Sequence, residues 1–330
     1  MPMPPIAKLA AAPAEFIQHQ RANGAAIRAE LSAGLMAPQA HTSAKYLYDA
    51  LGSKLFEAIC ELPEYYPTRT EAAIFDAHLP DIAQSIGVGA TLIDLGAGNC
   101  AKAARLFSTL HPVQYVPIDI SADFLREALE QLQQRFPHIE MTGVGLDFSS
   151  ALDLPDAVRH QKRLFFYPGS SIGNFTPPQA LAFLRRLRAA CNSSSDGGVL
   201  IGVDLLKEQQ ILDAAYDDAL GVTAAFNLNL LRHLNQLLGT DFDVRDWRHR
   251  AGFNAAHGRI EMHLEARRAL TVSWGEQRRQ FAQGERIHTE NSYKYTQQDF
   301  VALLEQAGFG DARVWTDSRH WFAVIHARVV

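Results

Sequence analysis

From Thr91 to Asp204 the chain alternates strand-like and helix-like stretches, and this rhythm narrows the possible folds more than any other feature. Thr91–Leu95 reads as a short apolar strand, followed by a helical pattern over 101–110. The next strand covers 114–120, and Ser121 is placed to cap a helix over 122–136 that stops at Pro137. A third strand lies within 139–148, and Arg163–Tyr167 is a fourth, ending at Pro168-Gly169. Thr176 then caps a helix with Pro177 at its first position, running to about Ala190. A turn cluster at 192–198 leads into a strand over 199–204. Strands alternating with helical crossovers imply a parallel sheet with helices on both faces, so the expected fold is a doubly wound α/β sheet.

After Leu205 the rhythm changes. Residues 211–219 and 222–238 look helical, with Gly239 as a stop. Over 258–274, Ile260, Met262 and Leu264 alternate with Glu261, His263 and Glu265, which is strand periodicity. Thr296 and Asp299 resemble the start of a capping box for a helix that reaches Ala307 and ends at Gly308. Strands around 313–316 and 321–327 close the chain. A last helix followed by two strands returning to the sheet resembles the ending of class I methyltransferases. Residues 206–295 therefore read as an insertion, and the mostly helical segment 1–67 is expected to pack with it. This gives a Rossmann-like domain of 68–205 plus 296–330 and an additional substrate-binding domain of 1–67 plus 206–295.

Composition narrows the class further. Hydrophobic residues at 47% and charged residues at 20% are those of a soluble globular protein. A net charge of −5 gives no footprint for nucleic acid. No apolar run suits a membrane span, and Met1-Pro2-Met3-Pro4-Pro5 is not a signal peptide. Cys60, Cys100 and Cys191 lack C-x-x-C spacing, which fits free thiols in the cytoplasm. The histidines show no metal-ligand spacing, so no metal is expected. A monomer with no nucleic-acid or membrane partner is expected.

In open α/β sheets, ligands bind at the carboxyl ends of the strands. Asp94-Leu95-Gly96-Ala97-Gly98 is a strand end followed by a turn in which Gly96 and Gly98 permit close backbone approach. The third glycine of a dinucleotide fingerprint is absent, since Ala101 stands there, and a structural turn is the alternative. Asp119 ends the second strand, where a carboxylate accepts from ribose hydroxyls. Asp147 and Phe148 end the third, an acid and a ring suited to adenine. Three such strand ends favour S-adenosylmethionine over a nicotinamide cofactor.

Upstream, Leu62-Pro63-Glu64-Tyr65-Tyr66-Pro67-Thr68-Arg69 places two tyrosines between two prolines, with no apolar period for a core element. It reads as a stiff, extended substrate lip presenting two phenols. This run, together with Tyr46-Leu47-Tyr48-Asp49, Asp94-Leu95-Gly96-Ala97-Gly98, Val116-Pro117-Ile118-Asp119, Pro168-Gly169-Ser170-Ser171-Ile172-Gly173-Asn174-Phe175, Asp213-Ala214-Ala215-Tyr216-Asp217-Asp218 and Thr289-Glu290-Asn291-Ser292, resembles the histidine N-alpha-trimethyltransferases of ergothioneine biosynthesis, which make hercynine. The resemblance spans about Tyr46 to Phe322. It departs at Asn99-Cys100, where small hydroxyl residues are expected.

The resemblance implies a role for each matching residue. Asn174 and Tyr216 would bind the substrate carboxylate, with Tyr48 and Asn174 near the amine. Phe56 and Gly169 would shape that end of the pocket. Tyr65 and Met262 would line the imidazole side, where Glu290 and Ser292 would hydrogen-bond the ring nitrogens. Gly96, Gly98, Lys102, Asp119, Asp147 and Phe148 would hold the cofactor. The residue types agree. Glu290 and Ser292 alternate in an extended segment and face one way, offering an acceptor and a donor–acceptor to two distinct ring nitrogens. Histidine and its mono- and dimethylated forms are the implied substrates. Since the sulfonium methyl is already activated, orienting a neutral amine is the main task, and no external base is assigned. Another aromatic amino acid, a thiolated histidine, or a non-catalytic cofactor-binding role are the competing expectations.

Overall fold

The structure, a computed structural model, describes residues 14–18, 24–149, 151–191 and 196–330. Met1 to Pro5 and residues 192–195 of the turn cluster lie outside them. The strands are β1 (Glu15–Gln18), β2 (Thr91–Leu95), β3 (Gln114–Asp119), β4 (Glu140–Gly145), β5 (Arg163–Tyr167), β6 (Gly198–Asp204), β7 (Trp247–Asn254), β8 (Arg259–Ala266), β9 (Leu270–Trp274), β10 (Gln277–Phe281), β11 (Arg286–Tyr293), β12 (Phe309–Thr316) and β13 (Phe322–Val329). The α-helices are α1 (Gly24–Met36), α2 (Ala50–Cys60), α3 (Tyr66–Ile86), α4 (Ala101–Ala104), α5 (Phe107–Leu110), α6 (Ala122–Arg135), α7 (Pro177–Ala190), α8 (Gln209–Tyr216), α9 (Val222–Leu238) and α10 (Gln297–Gln306).

Among the described residues, eight strands form the main sheet in the order β1-β4-β3-β2-β5-β6-β13-β12. The first six in this order pair in parallel, and β13 runs antiparallel to both β6 and β12. Every residue of β2 and β5 is buried, as the centre of a parallel sheet covered by helices requires. The strand order reverses between β2 and β5, which places a ligand crevice above their carboxyl ends. Apolar cores cover the two sheet faces: Phe183, Leu187 and Phe300 belong to one, and Ile74, Phe107 and Leu129 to the other. A third core joins Leu31, Leu35 and Tyr46 to Leu230, Trp247 and Met262, and so unites α1, α9, β7 and β8.

Several expectations change. The segment 1–67 is not wholly part of the third core, because β1 pairs with β4 and extends the main sheet. The run 62–69 is no extended lip. Pro67 sits in the first turn of α3, where a missing N–H costs nothing, and Ile74, Phe75, Ile82 and Ile86 then recur at helical spacing on a buried face. The helix expected over 101–110 is broken into α4 and α5. Ser121 does not cap α6 through its side chain; its N–H donates to Asp119 Oδ1 at 2.9 Å. The stretch 258–274 is two strands, β8 and β9. Strand β7 went unread because its alternation hides a histidine in a core position: Trp247 and His249 are buried between exposed Arg248 and Arg250.

Candidate active site

The residues expected around a substrate converge because short polar contacts pin their backbones. Asp49 Oδ1 accepts the Gly52 N–H at 2.7 Å, capping α2, and accepts Asn229 Nδ2 at 2.7 Å from α9. Tyr48, the preceding residue, is thereby fixed between two helices. Asp218 accepts the N–H groups of Val222 and Thr223 at the start of α9, at 3.0 and 2.8 Å. Asp213 Oδ1 accepts the Phe253 N–H of β7. Between these carboxylates lies Tyr216, whose carbonyl accepts from His249 Nε2 at 2.9 Å. Asn227 Nδ2 donates to the other ring nitrogen of His249 at 2.9 Å, so the imidazole is neutral, and its burial keeps it so. Gly173 lets the turn before α7 press on β11: a Cβ there would lie 2.8 Å from the Tyr293 carbonyl oxygen. That approach sets Asn174.

Tyr48, Phe56, Tyr65, Gly169, Asn174, Tyr216, Met262, Glu290 and Ser292 all line one pocket. Its wall is a set of rings packed edge to face. Tyr48 lies 5.5 Å from both Phe56 and Phe226, Phe56 lies 6.0 Å from Tyr65, and Tyr65 lies 6.1 Å from Tyr216. Burial drives the phenols of Tyr48 and Tyr65 well above their ordinary pKa, so both remain protonated.

The polar side belongs to β11. A register shift between His288 and Glu290 sets the phase of the strand, pairing Glu290 with Met262 and Ser292 with Ile260 on β8. Glu290 is 9% exposed, and its Oε2 is fully buried without a partner. Desolvation raises its carboxyl to about 7, although Lys294 pulls the other way. A buried, unpartnered acceptor at a pocket wall is a demand for a donor from the ligand.

The cofactor set stands at the sheet's carboxyl edge. Gly96 and Gly98 have positive φ, 71° and 52°. Nothing lies within 4 Å of where a Gly98 Cβ would be, so the turn faces open space. Asp119 Oδ2 accepts the Gly98 N–H at 3.0 Å and Oδ1 that of Ser121, and each oxygen keeps a second acceptor position. Asp147 accepts from Lys45 Nζ at 3.3 Å and from the Ser149 N–H at 3.0 Å, with Phe148 beside it against Tyr167. A half-buried carboxylate, an open glycine turn and a second acid with a ring fit a nucleoside. Lys102 pairs instead with buried Glu71 at 2.7 Å, and Glu71 accepts the Gly169 N–H at 2.7 Å, so Glu71 ties the segments after β2 and β5 together where strand order reverses. At the departure from the family pattern, Asn99 Oδ1 accepts the Ala101 N–H at 3.1 Å and Cys100 is buried at φ 60°.

Sequence reasoning missed the charges beneath the pocket. Asp204, at the end of β6, accepts from Tyr66 Oη at 2.7 Å and from Lys294 Nζ at 2.8 Å, and pairs with Lys207. Burial alone would raise its carboxyl; Lys294 and Lys207 hold it below the ordinary range. Lys294 also donates to Ser292 Oγ at 2.7 Å and Tyr216 Oη at 3.0 Å. The signals existed: Asp204 is an acid at a strand end, like Asp119, and Lys294 continues the alternation of Glu290 and Ser292.

Residues 27–329 match a family described as histidine-specific methyltransferase, SAM-dependent. The chain is 39% identical over 299 residues to a histidine N-alpha-methyltransferase of Mycolicibacterium smegmatis, covering 88% of this chain and 91% of that one. It is 37% identical over 298 residues to the protein of the same name from Mycobacterium tuberculosis, covering 88% and 91%. It is 29% identical over 276 residues to Ergothioneine biosynthesis protein 1 of Schizosaccharomyces pombe, covering 80% of this chain and 35% of that longer protein. With its sheet order, its strand-end residues and a match across nearly its whole length, the chain belongs to the S-adenosylmethionine-dependent, histidine-specific methyltransferase family.

Proposed function

We propose that this enzyme transfers three methyl groups from S-adenosylmethionine to the α-amine of L-histidine, giving hercynine for ergothioneine biosynthesis. The observation that carries the substrate is Glu290: a buried carboxylate oxygen without a partner, next to a serine hydroxyl, in a pocket with an aromatic wall. An imidazole offers an N–H to the one and an acceptor nitrogen to the other. An apolar ring would leave the Glu290 oxygen and the Ser292 hydroxyl hydrogen without a partner. Tyr216 gives its hydroxyl hydrogen to Ser292 Oγ and so backs the ring side rather than the carboxylate, which Asn174 holds, while Tyr48 and Phe56 face the amine. Their ring faces attract a methylated cation, which suits the retention of partly methylated histidine for the next round.

When bound, the cofactor supplies an activated methyl group. Gly96, Gly98, Asp119, Asp147 and Phe148 would hold its nucleoside, with Lys102 near its other end. The protein's own contribution is orientation and exclusion of water. Histidine and its mono- and dimethylated forms are then successive substrates of a monomeric, cytoplasmic enzyme. Among the described residues no helix is long and apolar enough to cross a membrane.

Competition kinetics with histidine and phenylalanine test the reading. Wild-type enzyme is expected to prefer histidine by orders of magnitude, and Glu290→Leu to lose most of that preference. Equal rates on the two amino acids in wild-type enzyme would overturn the assignment of Glu290 and Ser292 to a ring.

A further inference from the structure

Ser292 does not meet the pocket alone. Lys294, fully buried, has three hydrogens to give and three acceptors in range: Asp204 Oδ2 at 2.8 Å, Ser292 Oγ at 2.7 Å and Tyr216 Oη at 3.0 Å. Tyr216 donates in turn to Ser292 Oγ at 2.8 Å. Both lone pairs of Ser292 are thus filled from behind, and its hydroxyl hydrogen is the one hydrogen-bonding capacity left to it on the pocket side. Asp204, which also accepts from Tyr66 and Lys207, holds the ammonium in place. Glu290, two residues before Ser292, has only acceptor capacity to offer when ionised.

We propose that Lys294 is a positioning residue that makes Ser292 an obligate donor, so that the site selects neutral imidazole, its bare nitrogen on Ser292 and its N–H on Glu290. This rests on the reading of the pocket as a histidine site. It adds that the protonation state and tautomer of the ring are imposed from beneath by a residue that touches no substrate. An imidazolium has no bare nitrogen and would point a hydrogen at the Ser292 hydroxyl, whose lone pairs are taken. The tautomer with its hydrogens exchanged fails at both contacts.

The test compares histidine with the two pyrrolylalanines, which keep one ring N–H and lack the acceptor nitrogen. Wild-type enzyme is expected to favour histidine in kcat/KM by at least about tenfold over the better pyrrole. In Lys294→Met that ratio is expected to fall toward one, as in Ser292→Ala, and the double variant should show no further fall. Asp204 keeps Lys207 and Tyr66 as partners in this variant. A variant that slows both substrates equally and leaves the ratio unchanged would overturn the proposal and mark Lys294 as structural. A second measurement uses the unaltered enzyme, so it stands if Lys294→Met fails to fold. Nitrogen NMR of ring-labelled histidine bound at neutral pH is expected to show one protonated and one bare ring nitrogen. Two protonated nitrogens would overturn the proposal while leaving the histidine site intact. No bound histidine at all would overturn the site and the proposal together.

Discussion

Glu290 serves binding at the expense of folding. Its carboxyl is raised from the ordinary 4.5 to about 7 by desolvation, so the folded protein binds a proton that the unfolded chain releases. The stability tied to that proton is complete below pH 4.5 and is lost as pH rises to about 7. Glu290→Gln is therefore expected to melt higher than the wild-type enzyme at pH 8 without substrate, by the equivalent of about 1–3 kcal/mol, with the difference closing toward pH 4.5. The same variant should bind histidine more weakly. Thermal unfolding of both proteins across that pH range checks the sign, and a variant less stable than wild type at pH 8 would contradict it. Asp119 is the counterpart at the cofactor end. Asp119→Ala removes an acceptor shared by the Gly98 turn and, on this account, the ribose diol. Calorimetric titration with S-adenosylmethionine should show a loss of about 1.5–3 kcal/mol. Unchanged affinity would displace Asp119 from the site.

Elements place these residues, and here the sequence was most and least legible. Strands β2, β3, β5 and β6 are short, mostly apolar runs, and α9 was read over 222–238 with Gly239 as its stop, so the central strands and the strand-end acids Asp119 and Asp147 followed from pattern alone, whereas Asp204 did not. The start of α3 was hidden because two prolines and two tyrosines look like a loop until the buried face further along is counted. Strand β7 was hidden because His249 occupies a core position, its polarity absorbed by Asn227 and the Tyr216 carbonyl. The nine pocket residues came from resemblance of short motifs; no periodicity would have gathered residues from 48 to 292 in one place. The charged cluster of Asp204, Lys207 and Lys294 was unread because burial of lysine goes against its usual behaviour. The turn that carries Asn174 gives an element-scale test. Gly173→Ala puts a Cβ 2.8 Å from the backbone of Tyr293 and must push the turn off β11. Turnover is expected to fall at least tenfold, with about 1–3 kcal/mol lost in stability, as overpacking costs. Wild-type turnover in this variant would show that the approach of turn and strand does not position Asn174.

At the scale of the molecule, the pocket lies where the main sheet meets the third core. Asp204 is the junction: it ends β6, holds Tyr66 at the start of α3, and pairs with Lys294 just after β11. Leu205 and Tyr295 bridge the same two segments through their backbones. Asp204→Ala leaves two buried ammonium groups without their carboxylate, and denaturant unfolding should register a loss of about 3–5 kcal/mol. A loss below about 1 kcal/mol would mean that Lys294 and Lys207 find other partners or water. In the proposed reaction this junction presents the α-amine of histidine to a methyl donor. Mass spectrometry of histidine incubated with the enzyme and S-adenosylmethionine tests it most directly. The expected product is heavier by three methyl groups, all on the α-nitrogen by fragmentation, with the ring unmodified. Histidine returned unchanged, or methylated on the imidazole, would contradict it.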